Sequence, residues 1–275
     1  MTYTTTDLTP RIGTQVHVDR ETLIGGAIAR ELRDLLMARG VLLFRGLTLS
    51  AEDHVRFAAT LGQVRLEHGN RITAITADAE KSPIFADYTK GTFWFHVDGT
   101  YTDTPGFASV LHARVVAPEG GGTEFANTYA SYEDLPEEEK AFLDTLRVVH
   151  TMPAALFPAK RNCTPEEFAV WHSYPERSHP LVWRHKSGRK SLVLSTSGAW
   201  IEGMHFAESH DLLQRLMVHA TQEKYTYRHK WQEGDLAIWD NTGCMHRAMP
   251  FEEGSKREFH RCTLNGEEPV TGVNG

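Results

Sequence analysis

Apolar residues recur at helical spacing in four parts of the chain. Between residues 21 and 39 this spacing is kept by Leu23, Ile24, Ala27, Ile28, Leu32, Leu35 and Leu36. Gly40 follows as a stop signal, so 21–39 predicts one amphipathic helix. Ser50 and Asp53 form a capping-box-like pair, which predicts the start of a second helix. Two further segments share the helical spacing: 132–146 and 208–220.

Short runs of apolar and β-branched residues predict strands elsewhere. The wholly apolar run 41–44 predicts a buried strand. Five further runs, separated by Gly and Pro, have strand character: 109–116, 192–194, 225–227, 235–239 and 261–264. Many short strands with a few helices predict a mainly β fold, a barrel or jelly roll with helices packed outside it.

The composition is that of a globular chain. Of its 275 residues, 24% are charged and 40% hydrophobic, which is enough to bury one sizeable core. The sequence contains no repeat and no linker-like shift in composition. We therefore expect residues 1–275 to form a single domain.

Charge and cysteine content narrow the choice of partner and compartment. The net charge of −7 argues against a nucleic-acid-binding surface, which requires a basic face, and favours small-molecule partners. The three cysteines are odd in number and widely spaced, which fits a reducing compartment. The first 20 residues contain no apolar run, so we expect neither a signal peptide nor a membrane span, and a cytoplasmic location.

His96, Asp98 and His246 are candidate metal ligands. On an extended segment, the period of two turns the side chains of His96 and Asp98 to the same face. Two histidines and one carboxylate hold one face of iron(II) in many oxygen-activating enzymes. The chain has 15 histidines, however, and most histidines bind no metal, so a surface or core role for each remains open.

Two arginines follow His246 in a segment with strand-like alternation. Arg257 and Arg261 are four residues apart, a spacing that places both on one face of a strand. They are also compatible with an exposed edge strand. Arg261 is followed by Cys262, Thr263 and Leu264 in a segment typical of a core strand, which predicts burial. A buried arginine requires an anion such as a carboxylate, sulfonate or phosphate.

The chain closely resembles the taurine dioxygenase-like (TauD/TfdA) family of iron(II) and 2-oxoglutarate-dependent dioxygenases. The resemblance covers nearly the whole chain in the family's order, and its combination of motifs is specific although each motif alone is not. It is carried by six segments before the two arginines: 95–100 (FHVDGT), 120–127 (GGGTEFAN), 179–182 (HPLV), 188–192 (GRKSL), 234–241 (GDLAIWDN) and 246–248 (HRA). The implied fold is a double-stranded β-helix.

The resemblance also implies roles for individual residues. It makes His96, Asp98 and His246 the ligands of iron(II). Thr123 and Arg257 would bind the distal carboxylate of 2-oxoglutarate. By the same resemblance, Arg261 would contact the acidic group of the substrate.

The implied reaction consumes O2 and 2-oxoglutarate and hydroxylates a C–H bond of a small organic acid, with succinate and CO2 as co-products. Halogenating relatives have a small residue at the position of Asp98, so its presence here favours hydroxylation. Sulfonates, sulfate esters, aryloxy acids and other carboxylates are all candidate substrates. Because dimers and tetramers are frequent in the family, a homo-oligomer is also compatible with the resemblance.

The substrate pocket is the least defined part of this interpretation. His68 lies near the position of a substrate-binding histidine in the family's sulfonate users, and Tyr101 flanks the proposed metal ligands. Thr92, Met152, Leu156 and Phe157 are further candidate pocket residues. Taurine users have an aromatic residue where this chain has Ser197, a difference that favours a larger or more apolar acid than taurine.

Two other functions remain compatible with the residues. A zinc-dependent hydrolase would use the same three side chains to activate water, but it would give no role to Thr123 and Arg257. A non-catalytic jelly roll that binds a metal or another ligand is the second alternative.

Overall fold

The structure, a computed structural model, describes residues 3–76, 78, 81, 89–252 and 254–273. Strands form its framework. Their bounds are β1 Thr4–Asp7, β2 Thr14–His17, β3 Val41–Phe44, β4 Thr73–Thr76, β5 Ala108–Val115, β6 Thr123–Asn127, β7 Arg147–His150, β8 Arg177–Pro180, β9 Val182–Arg184, β10 Lys190–Leu192, β11 Gly198–Ile201, β12 Thr226–His229, β13 Leu236–Asp240, β14 Cys244–Ala248 and β15 Glu258–Thr263.

Helices connect these strands. Their bounds are α1 Arg20–Gly25, α2 Ala29–Arg39, α3 Ala51–Leu61, α4 Thr128–Glu133, α5 Glu137–Leu143, α6 Met152–Leu156, α7 Pro165–Ser173 and α8 Phe206–Ala220, with short 3-10 helices at Thr89–Phe93 and Glu223–Tyr225. The predicted capping box at the start of α3 is confirmed, because the Ser50 hydroxyl accepts from the Asp53 amide at 3.0 Å. Among the described helices, none has the length and hydropathy needed to cross a bilayer.

A seven-stranded sheet forms one layer, in the order β1-β2-β3-β13-β5-β15-β4. Its pairs are antiparallel except β2 with β3. The apolar faces of α1, α2 and α3 cover the outside of this sheet, where Leu36 and Phe57 are buried with Phe44 and Ile238. Each such fully buried side chain contributes about 1.5–3 kcal/mol to stability, so the helices are held by apolar contact.

Smaller sheets form the opposing layer, in the orders β12-β6-β14, β11-β7-β8 and β10-β9. Between the layers lies an apolar cluster that joins Leu111, Trp239 and Phe259 of the large sheet to Phe125 of β6. The rings of Phe125 and Trp239 are 5.7 Å apart. Two mainly antiparallel layers packed face to face, with helices outside, form the jelly roll that the sequence predicts.

Two predicted helices are interrupted in the structure. The single helix predicted at 21–39 is wrong, because α1 ends before Gly26, whose positive φ of 76° places it in the left-handed region that terminates helices. The single helix predicted at 132–146 is also wrong, because Pro136 lies between α4 and α5 and has no amide hydrogen to continue the helix. The helix predicted at 208–220 is confirmed as α8.

Candidate metal centre and active site

Three candidate ligands converge at one end of the strand layers. One nitrogen or oxygen atom from each of His96, Asp98 and His246 lies within 4.8 Å of the others. The Nε2 atoms of His96 and His246 are 3.6 and 3.8 Å from the two Asp98 carboxylate oxygens. Two imidazole nitrogens and one carboxylate are the donor set of a facial iron(II) site, so these side chains fit that metal.

Backbone hydrogen bonds hold the two histidines together. His96 donates to the carbonyl of His246 at 3.0 Å, and His246 donates back at 2.9 Å. The Nδ1 of His96 lies 2.9 Å from the Trp94 carbonyl and donates to it, which leaves Nε2 free to bind a metal. The His246 ring packs against Trp239, with 4.5 Å between centroids.

Asn241 fixes the peptide of the third ligand. Its side-chain oxygen accepts from the Asp98 amide, and its side-chain nitrogen donates to the Asp98 carbonyl, both at 2.9 Å. The same nitrogen also donates to the Gly106 carbonyl at 3.0 Å. A buried residue at the end of β13 therefore positions a ligand that lies far away in sequence.

The electrostatic environment keeps the ligands in their metal-binding forms. Burial acts to raise the pKa of Asp98, but Arg261 and the two histidines outweigh it and hold that pKa at about 2. Burial and the neighbouring His96 lower the pKa of His246 to about 3. At neutral pH the site thus contains a carboxylate and a neutral imidazole, as metal binding requires.

Arg261 lies beside the ligands, on β15. Its guanidinium donates to the Asp98 carboxylate at 3.1 Å and to the Glu67 carboxylate at 3.2 Å. Glu67 is itself fixed by the Thr73 hydroxyl at 2.6 Å. Arg261 therefore orients a candidate metal ligand, a role that its assignment to substrate binding does not include.

Arg257 occupies a separate buried position. It is 4% exposed, and its guanidinium carbon lies 4.0 Å from the centre of the Phe259 ring and 5.2 Å from that of Phe251. Its one side-chain hydrogen bond in the described part of the chain is a long contact of 3.4 Å to the Gly121 carbonyl. Burial lowers its pKa to about 10, and no described carboxylate pairs with it. Such a cation requires an anionic ligand.

The two arginines do not share a regular strand. The strand predicted at 261–264 begins earlier, at Glu258, and its register with β5 shifts between Glu258 and Phe259. Arg257 precedes the strand. Because of this irregularity, the two guanidiniums lie in different surroundings. Regular strand alternation would have placed them on the same face.

Thr123, the first residue of β6, has a hydroxyl hydrogen with no acceptor among the described residues. It is 4% exposed, and its oxygen accepts from the Trp231 indole nitrogen at 2.9 Å. Because an indole nitrogen only donates, the hydroxyl hydrogen of Thr123 remains available for an acceptor. Trp231 packs on Phe259, which also lies under Arg257, so Thr123 and Arg257 adjoin the same aromatic pair.

A cavity of about 200 Å³ opens beside the candidate metal ligands. His96, Asp98 and Tyr101 line it, and Tyr101 is 48% exposed at its mouth. The other sequence-predicted residues on its wall are Thr92, Met152, Leu156 and Ser197. These residues come from the loop around the ligands, from α6 and from the turn before β11.

His68 and Phe157 lie elsewhere. His68 is exposed in a turn closed by backbone hydrogen bonds between Glu67 and Asn70, and it is not part of the cavity wall. Phe157 is 51% exposed and does not line the cavity either. The substrate-binding role of His68 stays a prediction, and it is the adjacent Glu67 that reaches the site.

Sequence reasoning gave no role to several residues that shape this site. Glu67, Trp231 and Asn241 each contact a candidate site residue directly. Asn241 is the last residue of segment 234–241, and the resemblance of that segment to the family is the sequence feature that could have indicated its role. Glu67 and Trp231 carry no local signal, because their partners are 194 and 108 residues away.

Comparison with known proteins identifies the chain's relatives. Residues 4–263 match the family model "Taurine catabolism dioxygenase TauD, TfdA family". The chain belongs to this family. The α-ketoglutarate-dependent 2,4-dichlorophenoxyacetate dioxygenase of Burkholderia sp. (strain RASC) is 33% identical over 90% of this chain and 90% of its own. The α-ketoglutarate-dependent sulfate ester dioxygenase of Pseudomonas putida is 32% identical over 96% of this chain and 90% of its own.

Solved structures agree with the fold. The crystal structure of AAD-2 in complex with Mn(II) and N-oxalylglycine superposes with a TM-score of 0.85 at 30% identity, covering 98% of this chain and 100% of that one. The jelly-roll prediction is confirmed. The predicted enzyme class is confirmed too: this TauD/TfdA protein is an Fe(II)- and 2-oxoglutarate-dependent dioxygenase that uses O2. Family membership thus favours the oxygenase over the hydrolase and the non-catalytic alternatives.

Proposed function

We propose that the protein hydroxylates a C–H bond of a small organic acid, with His96, Asp98 and His246 as the iron ligands. The observation that best supports 2-oxoglutarate binding is the buried position of Arg257. Arg257 is 4% exposed and its guanidinium pairs with no described carboxylate, so it is suited to bind the distal carboxylate of that co-substrate. A hydrolytic zinc site would leave this buried charge without a function.

Each side chain then has a defined task. Iron(II), when bound, supplies the oxygen chemistry that converts 2-oxoglutarate to succinate and CO2 and hydroxylates the substrate. Arg257 and the free hydroxyl hydrogen of Thr123 fix the far end of 2-oxoglutarate, with Trp231 orienting that hydroxyl. Because the far end of 2-oxoglutarate is fixed before the reaction begins, less orientational freedom is lost in the reaction itself.

The cavity supports a small, largely apolar acid. Its volume of about 200 Å³ lies below the range of roughly 300–1,000 Å³ usual for drug-sized ligands. Apolar side chains on its wall include Val97, Met152 and Leu156. An aryloxyacetate and a sulfate ester, which appear in the names of two relatives, are both acids with an apolar body.

Arg261 is the proposed partner of the acidic group. An arginine has five N–H donors, and the two hydrogen bonds to Asp98 and Glu67 leave the others for an incoming anion. Glu67 competes for the same cation. The acid therefore binds most strongly when Glu67 turns away from Arg261.

Succinate formation by the iron(II)-loaded protein tests the proposal. The assay contains 2-oxoglutarate and O2 with alkylsulfonates, alkyl sulfates, aryloxyacetates or fatty acids, and a control without substrate. We expect one acid class to stimulate succinate formation and to yield a hydroxylated product or its breakdown products. Stimulation by neutral analogues but by none of the acids would contradict the assignment of the substrate class.

A further inference from the structure

A buried hydrogen-bond relay lines the cavity apart from the metal ligands. His150, at the end of β7, is 2% exposed, and its Nδ1 lies 2.8 Å from the Ser197 hydroxyl. That hydroxyl lies 2.8 Å from the hydroxyl of Thr100. All three residues line the cavity. The Nε2 of His150 is buried and has no protein partner in the described part of the chain.

Hydrogen-bond accounting favours one tautomer of His150. If Thr100 donates to Ser197 and Ser197 donates to Nδ1, both hydroxyl hydrogens are used and Nε2 carries an N–H without a described acceptor. If the relay runs the other way, the Thr100 hydroxyl hydrogen and the Nε2 lone pair are both left without a described partner. The first direction leaves one unsatisfied buried group in place of two, so it is the more stable.

The relay is fixed from outside. The Thr100 carbonyl accepts from His179 at 2.9 Å, and the Ser197 carbonyl accepts from the Thr151 amide at 2.9 Å. Burial and the nearby His179 lower the pKa of His150 to about 3, so the ring is neutral in the working pH range. A single neutral N–H suits an uncharged oxygen acceptor better than a second carboxylate, whose buried charge it could not compensate.

We propose that His150 is a specificity-determining residue whose Nε2–H binds a neutral oxygen acceptor on the substrate, separate from its acidic group. This inference rests on the proposed function and narrows its substrate class. Ser197 holds His150 in the donating tautomer through the hydrogen bond to Nδ1. The favoured substrates are therefore acids that also carry a ketone, amide or similar oxygen.

Pairs of acids that differ only at this oxygen test the proposal. The probes are 4-acetylphenoxyacetate against 4-isopropylphenoxyacetate, and 5-oxohexyl sulfate against 5-methylhexyl sulfate. Calorimetry of the metal-loaded protein with 2-oxoglutarate, without O2, gives Kd for each, and succinate formation in O2 gives KM. For at least one pair, we expect the ketone to bind about 2- to 12-fold more tightly, as for one hydrogen bond.

Variants then assign the preference to the relay. His150→Phe should abolish it, and Ser197→Ala should reduce it because His150 is no longer held in one tautomer. His150→Gln, whose amide retains a donor, should restore part of it. In all three variants, the KM for 2-oxoglutarate should stay within about twofold of wild type. If His150→Phe fails to fold, the Ser197→Ala result stands in its place.

The outcomes separate this inference from the proposed function. Wild-type protein without a ketone preference in either pair, or an undiminished preference in His150→Phe, overturns the role of His150. A ketone preference in binding with no succinate formed from any acid contradicts the proposed reaction and leaves the role of His150 standing. If none of the four acids binds, the role of His150 is overturned, and the proposed reaction is decided by the succinate assay with the other acid classes.

Discussion

The guanidinium of Arg261 donates to the carboxylate of Glu67 at 3.2 Å. The arginine expected to receive the substrate's acid is therefore already paired with a carboxylate from the chain itself. It also donates to Asp98, so an acid that binds here alters the surroundings of a candidate metal ligand. The proposed acid binding and the candidate metal site would thereby be linked through one side chain.

Replacement of Glu67 tests this competition. Glu67→Gln removes the negative charge that opposes an incoming anion, so we expect the KM of the stimulating acid to fall several-fold. Steady-state succinate formation measures the change. Glu208→Gln, at an exposed position on α8, is the matched control and should leave KM unchanged. A KM that rises in Glu67→Gln would show that Glu67 assists acid binding.

Arg257→Met should separate stability from co-substrate binding. A buried cation without an anionic partner costs free energy, so the metal-free variant should be at least as stable as wild type. The KM for 2-oxoglutarate should rise about 10- to 150-fold, equivalent to the roughly 1.5–3 kcal/mol of a charge-assisted hydrogen bond.

Two measurements check this prediction. Thermal unfolding of metal-loaded protein should show that 2-oxoglutarate raises the Tm of wild type and of the exposed control Arg215→Met, but not that of Arg257→Met. An equal increase in all three proteins would mean that the co-substrate binds elsewhere.

Trp231→Phe should weaken 2-oxoglutarate binding through Thr123. Loss of the indole N–H frees the Thr123 hydroxyl to rotate, which should raise the KM for 2-oxoglutarate about 2- to 10-fold, as for one hydrogen bond. Trp200→Phe, on β11, is the control. The same KM in Trp231→Phe and wild type would remove this orienting role.

The core residue His54 should make the protein sensitive to mild acid. It is 1% exposed, and burial together with His112 lowers its pKa to about 3, against about 6.5 in an unfolded chain. Above pH 6.5 both states are neutral. As the pH falls from 6.5 toward 3, only the unfolded state binds a proton, so stability is lost over that range.

Urea unfolding of metal-free protein at pH 7.5 and pH 5 measures the effect. Wild type should lose about 2 kcal/mol more free energy of unfolding between these pH values than His54→Gln, whose amide can still donate to the Val110 carbonyl. What is compared is the decrease in the free energy of unfolding between the two pH values, so a destabilisation of the variant that is equal at both pH values does not affect the result. Equal losses would mean that His54 does not resist protonation.

Sequence patterns predicted the features that are local or shared by the family. Short-range periodicity predicted the helix at the position of α8, and a compact motif predicted the candidate ligands His96 and Asp98, which the structure brings close to His246. Long-range contacts could not be predicted from sequence patterns. The pairing of Glu67 with Arg261, for example, depends on how β15 lies against β4. The break at Gly26 was missed since apolar spacing continues across it while the backbone does not.

Succinate formation by iron-loaded His246→Ala tests the central claim most directly. Wild type and the exposed control His210→Ala should both convert 2-oxoglutarate to succinate in an iron- and O2-dependent reaction, and His246→Ala should form none above background. Succinate formation by His246→Ala at the wild-type rate, with iron still bound, would show that the His96, Asp98 and His246 site is not the centre of catalysis.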